Sequence, residues 1–95
     1  MCSWIIEKAN VRGSGKGALG WFALTGANVC YDHPTHVPLD HALLIDFVNE
    51  RMGPSARVAV ELSEESAREL VRAILAALET AEEVHGRPQA VRANS

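Results

Sequence analysis

Cysteine and aromatic residues are scarce in this 95-residue chain: two Cys, two Trp, two Phe and one Tyr. Two cysteines cannot build the disulfide framework that holds many small secreted domains together, and Cys2 and Cys30 do not form a C-x-x-C pair. Long apolar runs are also missing. Runs such as Ala42-Leu43-Leu44-Ile45 fall far short of a membrane span. Positive charge is not in excess, with nine Lys and Arg against twelve Asp and Glu and a net charge of −3. The basic residues form no patch, so nucleic acid and anionic membrane are not expected partners. The opening residues lack the basic start and apolar stretch of a signal peptide. The expected location is therefore cytoplasmic, where thiols stay reduced.

What is present fits one small globular domain, expected over residues 1–86, with residues 87–95 as a flexible tail. Residues 2–12 and 21–31 read as strands flanking a glycine-rich connector, "GSGKGALG", suited to a hairpin turn. A register centred near Lys16 would place Cys2 opposite Cys30, where the thiols could be redox-active, ligate a metal or simply be buried. Residues 40–49, "DHALLIDFVN", carry both a helical stripe and a strand alternation. The strand reading is favoured because "RVAVEL" at residues 57–62 alternates clearly and needs a local antiparallel partner. In that strand Val58, Val60 and Leu62 point inward, and Arg57 and Glu61 outward. Ser63 then caps a helix whose first turn carries Glu64 and Glu65, and Gly86 ends it. Its apolar residues, from Ala67 through Leu70, Val71, Ile74 and Leu78 to Ala81, recur at helical spacing. Glu64 with Arg68 and Glu69 with Arg72 are spaced for ion pairs.

The fold class is therefore α+β: a four-stranded antiparallel sheet in the order β-β-β-β-α, with one C-terminal amphipathic helix packed on one face. A single helix covers a single face, while the first hairpin has apolar residues on both. That leaves an apolar surface in search of cover, and a homodimer is expected.

The chemistry concentrates in "CYDHPTHVPLDH", residues 30–41, which holds three of the four histidines. Imidazole suits zinc, copper, iron and nickel, and three histidines with an open position make a catalytic metal site. One reading thus has His33, His36 and His41 bind a divalent transition metal, zinc first, with Asp46 or Asp32 completing or orienting the shell. A second is metal-free: a histidine paired with Asp46 or Asp32 acts as general acid or base, with Tyr31 donating a hydrogen bond. A third is an ordinary polar loop on a non-catalytic interaction or ligand-binding module. Asp46, between Ile45 and Phe47, needs a cation, a histidine or a metal if it points inward. "GSGKG" lacks the spacing and the following helix of a phosphate-binding loop. Its amides, with Lys16 and Arg12, could still hold a small anionic molecule.

The stretches "RGSGKG", "GWFALTGANVCYDHPTHVPLDHALLIDFVN" and "RVAVELSEESARELV" resemble a family of short bacterial proteins of unknown function, over residues 2 to about 86. The string Y-D-H-P-x-H-x-P-L-x-H-A-L-x-I-D-F is its most specific part. The resemblance implies that His33, His36, His41 and Asp46 belong to a recurring motif, and it implies no substrate.

Overall fold

Four antiparallel strands run in sequence order across one sheet, and a single helix follows the last of them. The computed structural model describes residues 5–86. Cys2 and the segment 87–95 lie outside those residues. The strands are β1 (Ile5–Gly17), β2 (Gly20–Asp32), β3 (Ala42–Val48) and β4 (Arg57–Leu62), and the helix is α1 (Glu64–His85). This is the α+β architecture the sequence led us to expect, with 42–48 a strand.

The first hairpin departs from expectation in length and register. Gly13, Gly15 and Gly17 belong to β1, so only Ala18 and Leu19 form the turn, between the paired Gly17 and Gly20. The turn centre moves accordingly, and Cys30 pairs with Ile6 rather than Cys2. The glycines serve close approach. A Cβ on Gly15 would sit 3.1 Å from Leu24 and 3.4 Å from Val58, and one on Gly17 would meet Phe22 at 3.1 Å and the Arg57 carbonyl at 3.4 Å. The tip of the hairpin thus leans against β4, a strand at the far edge of the sheet.

A β-bulge in β1 between Asn10 and Gly13 makes this bend possible. Below it Ala27 lies beside Phe47, which in turn lies beside Val58. Above it Leu24, of the opposite parity, lines a small cleft with the same Phe47 and Val58. Strict alternation along β2 predicts Leu24 and Ala27 on opposite faces; the bend brings them to one side. Asn49, buried just after β3, ties the corner. Its Nδ2 donates to the Ala23 carbonyl (2.9 Å), its Oδ1 accepts from the Arg51 amide (3.0 Å), and its own amide donates to the Ala56 carbonyl (3.2 Å).

The helix begins and ends where its capping residues dictate. Ser63 Oγ accepts from the Ser66 amide at 3.1 Å, and Glu64 and Glu65 occupy the first turn. Gly86 takes φ 85°, a conformation costly for other residues, and its amide donates to the Glu82 carbonyl. Glu69 and Arg72 form the expected ion pair. Glu64 does not pair with Arg68; its carboxylate accepts instead from the Tyr31 hydroxyl at 2.8 Å.

The helix meets the sheet through its first turns, where Ala67 is its only buried residue. Beyond that its apolar stripe is open: Leu70 is 44% exposed, Ile74 51% and Leu78 59%. Among the described residues the buried set is Ala27, Ala42, Ala56, Ala67 and Asn49, and no large side chain is fully buried. The Cα radius of gyration is 15.1 Å, against about 12 Å for a compact chain of this length.

Candidate functional site

The connector from β2 to β3 carries the histidines, and the sheet divides them. Tyr31 lies beside Leu43 and, through it, Leu62, whereas Cys30 lies beside Leu44 and, through it, Glu61. Successive residues point to opposite faces, so Tyr31 and Glu61 project from opposite sides of the sheet. Each anchors part of the connector.

On the Tyr31 side three rings form a stack. His41 lies over Tyr31 with centroids 5.5 Å apart and planes 13° apart, and His33 meets His41 at 4.5 Å. The His33 amide donates to Asp32 Oδ1 at 2.7 Å. His33 Nδ1 lies 2.8 Å from the Asp40 carbonyl oxygen. A carbonyl only accepts, so Nδ1 carries the proton and Nε2 presents the lone pair when the ring is neutral. Hydrogen bonding to Glu64, with burial and the Glu64 charge adding to it, pushes the Tyr31 phenol above its usual range. Tyr31 is therefore a proton donor held in place, not a base.

On the other side Glu61 acts as a staple for residues 35–37. Its Oε2 accepts from the Thr35 amide and hydroxyl, both at 2.8 Å. Its Oε1 accepts from the amides of His36 (3.0 Å) and Val37 (2.8 Å). These bonds, led by those from the Val37 and Thr35 amides, hold its carboxyl down at about 2. His36 is fixed by its backbone, and with Thr35, Val37, Ala59 and Glu61 it lines a groove on this face.

The structure thus brings His33 and His41 together and leaves His36 across the sheet from them. Among the described residues no group of three or more His, Cys, Asp and Glu side chains is gathered as a metal would require. Asp46 shares the Glu61 side of the sheet and finds its cation in Arg57, with Nε 2.8 Å from Oδ1. It is not beside His33 or His41, so the pairing of Asp46 with an imidazole is replaced by an ion pair across two strands. Lys16 and Arg12 lie along β1 toward the hairpin turn, the opposite end of the hairpin from Tyr31, whose partner on β1 is Ile5. The amides of Gly13, Gly15 and Gly17 beside them belong to a strand and not to a glycine loop. Burial, followed by the charges of Asp46 and Asp32, pushes the half-buried Cys30 thiol up, and a thiol kept protonated is a poor nucleophile and ligand.

An open cleft of about 380 Å³ adjoins the ring stack at the root of α1. Leu43 and Ala67 belong to its apolar wall, and Tyr31, Glu64 and Arg68 to its polar one. Neither Glu61 nor Glu64 stands out as an anchor from sequence spacing, because both act across more than 20 residues.

The model of one family, described as a family of unknown function (DUF6295), matches residues 1–87. The chain belongs to this family. No curated protein and no solved structure matches it. Among the described residues no helix is long and apolar enough to cross a membrane.

Proposed function

We propose that this protein is a non-catalytic interaction module that works as a homo-oligomer, most simply a two-fold dimer. The observation that carries this reading is the mismatch between what is buried and what is apolar. Among the described residues the buried aliphatic ones are four alanines, while Leu70, Val71, Ile74, Leu75 and Leu78 of α1 remain 44–59% exposed. Fully burying such a side chain contributes about 1.5–3 kcal/mol, so roughly half of that is still available at each position. A small domain that leaves this much unused is marginal alone, and covering the stripe would stabilise fold and assembly together. Sedimentation equilibrium of the full chain at micromolar concentration tests the reading. Twice the 10.3 kDa of one chain is expected, and a monomer contradicts it.

A second reading, small-ligand binding, is favoured by the cleft at the root of α1, where the Tyr31–Glu64 pair and Arg68 adjoin an apolar wall. The ligand class would be a small molecule with an apolar body and an anionic head. Thermal-shift screening against such compounds tests it, because a ligand of the native state raises the melting temperature. Binding of a transition metal retains two neighbouring imidazoles, His33 and His41, and stands behind both. Elemental analysis of untagged protein, with and without His33→Ala, is its test.

A further inference from the structure

We infer that the second copy docks on α1 in antiparallel fashion, with the two-fold axis beside Leu75 and Arg68 of each chain facing Glu82 of the other. This rests on the assembly reading and adds the contact surface, its direction and its register.

The stripe sets the surface. Taking about 100 Å² of exposed area for each half-exposed aliphatic residue, the five from Leu70 to Leu78 present roughly 500 Å², against the ~800 Å² per partner of a standard interface. A 22-residue helix is about 33 Å long, enough to run past a second copy over its whole length. The remaining area is at hand at the root of the helix, where the open cleft and the half-exposed Ile5 adjoin the first turns.

The charges set the direction. At about 100° per residue, the stripe is centred near Ile74. Within about 120° of that centre, Glu64, Arg68 and Glu82 fall along one flank, and the other carries Ser66, Ala73, Thr80 and Val84, with no charge. A two-fold antiparallel pair brings the charged flank against itself in reverse order. Leu75 is midway between Arg68 and Glu82 in the sequence, so an axis there sets Arg68 against the partner's Glu82, twice by symmetry. A parallel pair instead sets the charged flank against the uncharged one, so that Arg68 and Glu82 gain no partner across it.

The unused pairing of Arg68 is an independent observation. Its (i−4) neighbour Glu64 is taken by Tyr31, and among the described residues the ion pairs are Arg57–Asp46 and Arg72–Glu69. Among the described residues neither Arg68 nor Glu82 has an ion-pair partner. In the antiparallel pair each obtains one, and the last turns of the partner helix run beside the cleft at Ile5 and Leu43.

Charge exchange on the full chain tests this. Dissociation constants would be measured by sedimentation for wild type, Arg68→Glu, Glu82→Arg and the double exchange, with circular dichroism on the same samples to verify folding. We expect each single reversal to weaken the dimer by about tenfold or more, and the double exchange to restore most of the loss. A wild-type dimer in which the double exchange is no tighter than the weaker single variant overturns the antiparallel register while leaving self-association standing. A monomeric wild type overturns both.

Discussion

The first turn of α1 and the remainder of the same helix follow one amphipathic pattern but have different surroundings. From Ser63 to Ala67 the helix is capped, tied to Tyr31 through Glu64, and has its one buried residue. From Leu70 onward the apolar residues repeat at the same spacing and are about half exposed. The difference shows that amphipathicity specifies a face needing cover, without specifying which molecule supplies it. The sheet of the same chain covers the first turns. The rest of the stripe is half exposed, and in the proposed dimer a second copy covers it.

The sharpest way to break this comparison is to put a charge at both ends. Ala67→Glu places a carboxylate in the part covered by its own sheet, and should lower stability at every protein concentration by about 2–4 kcal/mol. Leu78→Glu should instead act through assembly, weakening the dimer by at least about 2 kcal/mol, or roughly 30-fold in dissociation constant. If α1 is solvated along its length, Leu78→Glu at a 59% exposed site costs under about 0.5 kcal/mol and shows no concentration dependence. Thermal melts at two protein concentrations separate these outcomes.

Asn49→Ala is next in size. It removes the bonds to Ala23 and Arg51 and leaves the Ala23 carbonyl without the Asn49 side chain, at about 1–3 kcal/mol. Because the corner lies at the far end of the sheet from α1, urea unfolding should show a lower midpoint while the dimer dissociation constant is unchanged.

A smaller effect follows from Glu61. Its folded carboxyl is lowered from 4.5 to about 2, so its stabilising contribution is fully present above about 4.5 and is lost as pH falls toward 2. Glu61→Gln should flatten that part of the stability profile and loosen residues 35–37, read as faster amide exchange at His36 and Val37. A profile between pH 4.5 and 2 that the substitution leaves unchanged would contradict the staple.

The smallest effect is spectroscopic. Tyr31 is the only tyrosine in the chain, so phenolate absorbance reports it alone. Its ionisation should occur above the usual 10, and Glu64→Gln should move it back down. Since the protonated phenol is the favoured form in the folded state, the contribution of the Tyr31–Glu64 bond is present below pH 10 and fades as pH rises through the raised value. Ionisation at an ordinary value would mean that the first turn of α1 is not tied to Tyr31.

Much of the fold was readable from local chemistry. Ser63, Gly86 and the acidic first turn mark the ends of α1, and the alternation of "RVAVEL" marks β4, because capping and period-two patterning act over a few residues. The hairpin register was not readable. Gly13, Gly15 and Gly17 look like turn residues, and their use in a strand depends on how closely Leu24, Phe22 and β4 approach them. The candidate site was legible in composition and not in arrangement. Proximity in sequence does bring His33 to His41, but Glu61 draws His36 to the other face through bonds that reach across 24 to 26 residues. For Asp46 the sequence leaves a cation, a histidine or a metal open, and the partner in the structure is Arg57 on the neighbouring strand.

The account depends most on what covers the stripe of α1, and that can be observed directly. Copies carrying ¹³C-labelled methyl groups would be mixed with unlabelled copies, and isotope-filtered nuclear Overhauser spectra recorded. The account predicts intermolecular contacts from the Ile74 and Leu78 methyls to stripe residues of a second chain. Ile74 and Leu78 methyls that contact only their own chain, and that a soluble paramagnetic agent relaxes as fully exposed groups, would contradict it.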